Sequence, residues 1–97
     1  MNIVDSDQLD VLKTFRDAMH SKLAHHASKG DWKDVPISAL LRKLAEEVDE
    51  LKGAIDMDNR VEVLLEAADV ALTAMMIADI MLGSPRPVEG RSRGDGR

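Results

Sequence analysis

Four acidic residues, arranged as two pairs, form the pattern in this sequence that is most suggestive of chemistry. Glu47 and Glu50 lie three residues apart in the segment LAEEVDEL, and Glu66 and Asp69 repeat that spacing in the segment EAAD. Each residue advances about 100° around an α-helix, so Glu47 falls inside the apolar stripe of its helix and Glu50 lies at the edge. Carboxylates are rarely buried unless they are paired or bound to metal. The pattern therefore predicts inward-facing carboxylates that require a cation.

The residue types in these pairs indicate which cation they suit. The chain has no cysteine, and neither pair contains the histidine that di-iron bundles add to their carboxylates. Carboxylate oxygens alone make a hard site, which suits Mg²⁺ or Mn²⁺ with a phosphate completing the coordination shell. We expect all four paired carboxylates to be metal ligands. Glu46, Asp49 and Glu62 lie outside the inward pairs, and we interpret them as solvated.

Apolar periodicity predicts three helices that position these groups, over residues 5–27, 38–56 and 60–82. Ser38 is expected to cap the second helix, and Gly83 to end the third. The connection between the second and third helices is short, so they should run antiparallel and bring the two carboxylate pairs together. The expected apolar stripe of the second helix consists of Leu41, Leu44, Val48, Leu51 and Ile55.

The apolar residues of the third helix are distributed around nearly its whole circumference. This pattern predicts self-association. A helix of that kind is buried on all sides, and three helices in a chain of 97 residues can hardly enclose one of their number. We therefore expect an all-α fold in which helical hairpins form a four-helix-type bundle on dimerisation, as a dimer or tetramer. Residues 1–83 form one helical domain in this interpretation, and residues 84–97 a flexible tail.

Candidate substrate-binding residues cluster at the loop that joins the first two helices. His26, Lys29 and Trp32 lie there, where a lysine can meet phosphate oxygens and an indole can stack on a base. The alternative is that Trp32 fixes the loop to the bundle, and that His26 is a core residue with satisfied hydrogen bonds. Lys43 is a further candidate, although it also suits an i, i+4 ion pair with Glu47.

Two features of the third helix add to this group of candidate substrate-binding residues. Asp79 stands among apolar residues near the end of the helix, where it can contact the ligand or another subunit. Met75 and Met76 offer an apolar wall opposite the loop, and a broad apolar slot favours stacking of large bases.

The paired acidic segments resemble a known family signature. Glu47-Val-Asp-Glu50-Leu followed by Glu66-Ala-Ala-Asp69-Val is similar to the ExxE…ExxD motif of the all-α, MazG-like nucleoside triphosphate pyrophosphohydrolases. The resemblance extends over about residues 15–80. It is closest to the short bacterial and phage members, some of which act on dATP and dGTP. Leu72 stands where many relatives carry an asparagine that serves the sugar or base.

The resemblance implies a metal-dependent hydrolase that converts a (deoxy)nucleoside triphosphate to the monophosphate and pyrophosphate. It implies that the four motif carboxylates hold Mg²⁺, or Mn²⁺, at the triphosphate of a homodimer or homotetramer. Glu47 would then be catalytic through the metal, and Glu46 or Glu50 would act as general base. Purine deoxynucleoside triphosphates are the expected substrates. Alternatives within the class are a dUTPase, a dCTP pyrophosphatase or a phosphoribosyl-ATP pyrophosphohydrolase.

The charge and the apolar content of the chain indicate which partners and which cellular location to expect. The formal net charge of -5 argues against nucleic acid, because binding its backbone requires clustered lysine and arginine. The most apolar stretch, residues 70–78, is too short to span a bilayer, and the N-terminus lacks the order of a signal peptide. We expect a cytoplasmic protein of a bacterium or a phage-infected cell. The rival from another functional class is a helical regulatory or scaffold dimer without activity.

Overall fold

A computed structural model describes residues 5–27 and 30–83, which form three α-helices and no strand. Helix α1 spans Ser6–Ala27, α2 spans Ile37–Asp56 and α3 spans Arg60–Leu82. The all-α prediction is confirmed, and each helix begins and ends within a residue or two of its predicted bounds. The predicted tail, residues 84–97, lies outside the described residues, as does Lys29.

The ends of α3 are closed by local hydrogen bonds. The side chain of Asn59 accepts a 3.2 Å hydrogen bond from the backbone N–H of Glu62, which satisfies one of the free donors of the first turn. At the other end Gly83 adopts a left-handed conformation with φ 64°, and its N–H donates to the carbonyl oxygens of Asp79 and Ile80. A left-handed position of this kind favours glycine, so the predicted helix end at Gly83 is confirmed.

The start of α2 differs from the prediction. Ile37 is its first residue, and Ser38 lies within the first turn, so the predicted Ser38 cap is wrong. Pro36 takes the capping position with extended dihedral angles and no side-chain hydrogen bond. Its carbonyl oxygen accepts from the N–H groups of Ala39 and Leu40, at 3.0 and 3.2 Å. Proline fixes φ near the helical value, which starts the helix without a side-chain cap.

Helix α3 is the centre of the arrangement. It packs against both α1 and α2, whereas α1 and α2 do not pack against each other within the described residues. Side chains of all three helices meet at one region, where a cavity is lined by His26 of α1, Lys43 of α2 and Met76 of α3, and we call this region the cleft. The core is small, and its buried apolar residues are Ala18, Leu40, Ala54, Ala68, Leu72 and Met76.

Helix α2 is rotated by about one residue from the predicted orientation. Three residues of its expected apolar stripe, Leu41, Val48 and Ile55, are exposed, at 53%, 46% and 57%. Leu44 and Leu51 are half-buried. The buried line runs instead through the residue before each exposed one, and consists of Leu40, Glu47 and Ala54. Glu47 faces α3, as predicted from its position on the core-facing side of the helix, and the stripe through Leu41, Val48 and Ile55 is the part of the prediction that is wrong within one chain.

The apolar circumference of α3 is only partly covered within one chain. Ala68, Leu72, Thr73 and Met76 are buried, most of the other residues of the helix are half-buried, and Val61 is largely exposed. A single chain therefore does not provide the complete burial that the sequence pattern of this helix predicts.

Within the described residues, no helix is both long enough and apolar enough to cross a bilayer.

Candidate metal centre

Three carboxylates from two helices converge at the middle of the cleft. Glu47 on α2 and Glu66 and Asp69 on α3 each present an oxygen that lies within 4.8 Å of the others. The hairpin of α2 and α3 brings them together, because the i, i+3 spacing places Glu66 and Asp69 on one side of α3. We call these three residues the acidic triad. Glu47 is only 8% exposed, which is unusual for a glutamate.

Two lysines approach the triad from different helices. The ammonium group of Lys43 on α2 lies 3.0 Å from Glu47 Oε2, as expected for an i, i+4 pair. The ammonium group of Lys22 on α1 lies 3.0 Å from Asp69 Oδ2. The hydrogen bond to Asp69 raises the pKa of Lys22 above its ordinary value, against the opposing effect of burial. Two of the three carboxylates thus have a cationic partner.

Glu66 is the carboxylate of the triad without such an ion pair among the described residues. Burial raises its pKa to about 7, and the neighbouring charges of Glu50, Asp69 and Glu47 add to the shift. Its Oε1 and the Oε1 of Glu47 are buried and have no hydrogen-bond partner among the described residues. Buried polar atoms are nearly always paired, so these two oxygens are the ones on which a bound cation could act.

The triad fits a divalent metal ion. Its donors are all carboxylate oxygens from three side chains, which is the ligand chemistry that Mg²⁺ and Mn²⁺ prefer. The two buried unpaired oxygens belong to two of those side chains, and a cation would satisfy both. The negative charge that raises the pKa of Glu66 is also what a divalent cation would offset.

The remaining predicted carboxylates lie outside this cluster. Glu50 is exposed and is not one of the three converging residues, although it is close enough to Glu66 to raise its pKa. Of the group interpreted as solvated, Glu46 and Asp49 are exposed and Glu62 is half-buried in the first turn of α3. Glu50 therefore lies beside the triad, in a surface depression that Glu62 and Glu66 also line.

A cavity of about 200 Å³ lies next to the triad, towards the loop that joins α1 and α2. Lys43 lines this cavity and also pairs with Glu47, so it connects the cavity to the triad. His26, which is half-buried, and Trp32, both of which are predicted to bind substrate, contribute to the lining. The other lining residues are Gly30, Asp31, Val35, Leu40 and Met76.

Trp32 and Asp79, both predicted to bind substrate, contact each other. The indole N–H of Trp32 donates a 2.9 Å hydrogen bond to Asp79 Oδ2. The indole also packs against the core cluster of Leu40, Leu72 and Met76. Trp32 thus fixes the loop to the bundle, as one of the two interpretations has it, and its side chain also lines the cavity, where stacking on a base stays a prediction.

The two methionines expected beside the loop separate. Met76 is buried and lines the cavity, whereas Met75 lines an apolar groove between α1 and α3. Adjacent residues on a helix are about 100° apart, so Met75 and Met76 cannot both face the loop. The expected wall of two methionines is therefore a wall of one.

Lys22 is the site residue that sequence reasoning missed. It lies three residues after Met19 and four before His26, at the edge of the apolar stripe of α1. Its position beside the core-facing stripe could have indicated this role, because a lysine there requires an anionic partner.

Comparison of the chain with protein-family models, with curated proteins and with solved structures gives no match. The function of the chain is therefore inferred from the residues of the site and from the paired acidic segments of α2 and α3.

Proposed function

We propose that this protein is a metal-dependent nucleoside triphosphate pyrophosphohydrolase that releases pyrophosphate from a (deoxy)nucleoside triphosphate. The observation that carries the proposal is the convergence of Glu47, Glu66 and Asp69, with buried unpaired oxygens on both glutamates. Mg²⁺ or Mn²⁺ at the triad would neutralise phosphate charge and lower the pKa of a bound water. The reaction consumes one water and breaks the phosphoanhydride bond between the α- and β-phosphorus atoms.

The arrangement of the cleft supports one orientation of the nucleotide. The triad and its lysines form the polar part of the cleft, where the triphosphate binds. The cavity at the loop takes the base and sugar, since most of its lining is apolar or aromatic. Lys43 lies at the boundary and donates to a phosphate oxygen nearest the sugar.

Glu50 is the better candidate for general base. It is exposed to water and close enough to Glu66 to interact with it, without being one of the three converging ligands. Glu46 is also exposed, but no contact places it at the triad. A carboxylate beside the metal ligands can accept the proton of the attacking water, and this role does not require it to bind metal.

Self-association is part of the proposal, as a homodimer or homotetramer. Leu41, Leu44, Val48, Leu51 and Ile55 follow the 3-4-3-4 spacing of a coiled-coil seam, and we call these residues the α2 seam. Three of its five members are exposed in the single chain. Pairing of two α2 seams would complete a four-helix bundle from two hairpins and remove this apolar surface from water.

A second apolar surface, between α1 and α3, would allow two dimers to pair as a tetramer. It is a groove of about 360 Å³ between α1 and α3, whose lining exposes apolar atoms only. Its lining residues include Leu12, Phe15, Met19, Leu23 and Met75. Because the groove and the α2 seam lie on different helices, one can serve the dimer and the other the pairing of dimers.

The exposed α2 seam also favours the rival function, a helical scaffold dimer. Lys22 and Lys43 already neutralise two of the three triad carboxylates, which allows the triad to be a structural ion-pair network. This rival predicts self-association without catalysis, and without a change in stability when Mg²⁺ and nucleotide are added together.

Pyrophosphate release from a panel of ribo- and deoxynucleoside triphosphates, with Mg²⁺ and with chelator, tests the proposal. The expected products are one monophosphate and one pyrophosphate per nucleotide, only in the presence of metal. Asp49→Asn is a matched control for Glu47→Gln, because Asp49 is an exposed carboxylate on the same helix. Absence of hydrolysis across the whole panel would favour the scaffold.

A further inference from the structure

The ion pair between Lys22 and Asp69 joins two helices, unlike the ion pair of Lys43. Lys43 and Glu47 lie one turn apart on α2, whereas Lys22 reaches from α1 to α3. The Lys22 side chain is 28% exposed and that of Asp69 is 13% exposed. The pair is thus half-buried, and the lysine still has solvent on one side into which its four-carbon stem can move.

The ammonium group of Lys22 competes with any metal ion for Asp69. Asp69 presents one of the oxygens that converge at the triad, and its Oδ2 lies 3.0 Å from Lys22 Nζ. A divalent cation bound at the triad would lie within a few ångströms of that ammonium, where repulsion is strong because the site is partly shielded from water. A metal ion bound at the triad would therefore be destabilised while the Lys22 ammonium stays beside Asp69.

We propose that Lys22 is a displaceable counter-ion that gives Asp69 to the metal and then binds a phosphate oxygen of the nucleotide. This inference rests on the proposed function, because it concerns the same site. In the metal-free protein Lys22 stabilises the acidic triad. After the exchange the ammonium remains at the flank of the cleft formed by α1, opposite Lys43 on α2, and the phosphate chain lies between the two lysines.

The charges at the cleft support both steps. Glu47, Glu50, Glu66 and Asp69 contribute -4 when all are ionised, and Lys22 and Lys43 contribute +2. One divalent cation brings the sum of -4, +2 and +2 to zero. Once Asp69 is bound to metal, it attracts Lys22 less. An incoming polyphosphate then supplies the anionic oxygens that best satisfy an ammonium group.

Titration of Mn²⁺ alone into the metal-free protein tests the first step without turnover. Lys22→Met keeps the length of the side chain and removes the competitor, so Mn²⁺ should bind about tenfold more tightly than to the wild type. Lys13→Met is the matched control, because Lys13 is an exposed lysine on the same helix, and its affinity should not change. Equal or weaker Mn²⁺ binding by Lys22→Met would overturn the exchange.

Binding of inorganic pyrophosphate at saturating Mg²⁺ tests the second step and avoids any dependence on the base. Lys22→Met should lose about tenfold in affinity for pyrophosphate, and Lys22→Arg should recover most of it. Unchanged affinity in Lys22→Met would overturn the phosphate role. If Lys22→Met does not fold, Lys22→Gln provides the same comparison, with the folded state checked by circular dichroism.

These titrations separate the inference from the proposed function. Failure of the proposed function is absence of nucleotide hydrolysis by the wild type, which neither titration measures. A steady-state comparison adds a third measurement if hydrolysis is found. Lys22→Met should raise KM more than it lowers kcat. A purely structural role of Lys22 would not affect KM more than kcat, and arginine at this position would not restore the affinity for pyrophosphate.

Discussion

The indole N–H of Trp32 donates a 2.9 Å hydrogen bond to Oδ2 of Asp79, a residue 47 positions further along the chain. This bond ties the loop between α1 and α2 to the last turns of α3. Because the N–H of Trp32 is engaged with Asp79, the indole can offer a ligand its ring but not its donor. The loop side of the cavity is therefore formed by a side chain that is fixed before any ligand binds.

Replacement of Trp32 by phenylalanine should destabilise the protein by about 1–3 kcal/mol, since a hydrogen bond to a charged, half-buried carboxylate is lost. For a domain of this size that corresponds to a fall in Tm of roughly 4–8 °C for each kcal/mol. Asp79→Asn retains an oxygen acceptor and should cost less. Thermal unfolding of the wild type and the two variants measures the order of their Tm values. A larger fall in Tm for Asp79→Asn than for Trp32→Phe would contradict this prediction.

The sequence was sufficient for the extent of the three helices, because apolar periodicity and a helix-ending glycine such as Gly83 act locally, although the predicted Ser38 cap is wrong and the Asn59 cap was not predicted. It was insufficient for the rotation of α2. The predicted apolar stripe of α2 is partly exposed within one chain, and the line that faces α3 runs through Glu47, whose inward position was predicted separately. Periodicity measures how apolar a face is and does not identify the surface that covers it.

The site was predictable where its residues lie on neighbouring helices of the hairpin. Glu47, Glu66 and Asp69 converge as their spacing predicts. Lys22 comes from α1, whose position relative to the hairpin depends on packing that a helical wheel does not contain. Glu50 lies at the edge of the predicted stripe, where a small rotation of α2 decides between an inward and an exposed position.

Replacement of the metal ligands should remove activity. Changes to residues that merely support a metal ligand cost 10–100-fold in affinity or activity, so Glu47→Gln and Asp69→Asn should each cost roughly 100-fold or more. Hydrolysis rates measured across a range of Mg²⁺ concentrations test this, with Asp49→Asn as control. Near-normal rates in either variant at limiting Mg²⁺ would show that the triad is not the metal site.

The stability of the metal-free protein should fall as the pH rises towards neutrality. The pKa of Glu66 is raised from 4.5 to about 7 by burial, so the folded state holds its proton more strongly than the unfolded state. Such a group lowers stability progressively as the pH rises between those values, and the full cost is present above about 7. Tm measured from pH 5 to 8 in the presence of chelator should decrease over that window.

Glu66→Gln should flatten this pH profile and raise Tm at pH 8, because it removes a buried charge that has no lysine partner among the described residues. Glu46→Gln, at an exposed position, should leave the profile of the wild type. Mg²⁺ should also raise the Tm of the wild type at pH 8, since ligand binding to the native state stabilises it. Identical profiles for the wild type and Glu66→Gln would contradict the assignment of the pH dependence to Glu66.

Charged residues in the α2 seam should dissociate the oligomer. Val48 is exposed at the centre of the seam, and Val48→Glu would place a carboxylate against its counterpart in a twofold pairing. Light scattering should then report a mass near 10.7 kDa, against at least twice that value for the wild type. Asp49→Lys, beside the seam, controls for a change of charge alone. A wild-type protein that is already monomeric at micromolar concentration would contradict the oligomer proposal.

The last prediction concerns the base, and it follows from the cavity at the loop. The cavity is about 200 Å³ in volume and is lined by Trp32, Val35, Leu40 and Met76, with His26 at its side. Amides, which commonly discriminate base edges, are absent from the described lining of this cavity. Stacking and shape should therefore dominate, and a purine gains more from both than a pyrimidine, on the order of 1–3 kcal/mol for a stacked base.

We accordingly expect dGTP and dATP to have a higher kcat/KM than dCTP, dTTP and dUTP, by roughly tenfold for each 1.4 kcal/mol of additional stacking energy. Trp32→Leu should reduce the difference between purines and pyrimidines and leave the dependence on Mg²⁺ unchanged, because Trp32 lines the cavity and is not part of the triad. Val61→Leu, at an exposed position on α3, is the matched apolar control and should retain the preference of the wild type. A tenfold preference of the wild type for any pyrimidine would contradict this assignment and place the activity with the dUTPases or dCTP pyrophosphatases.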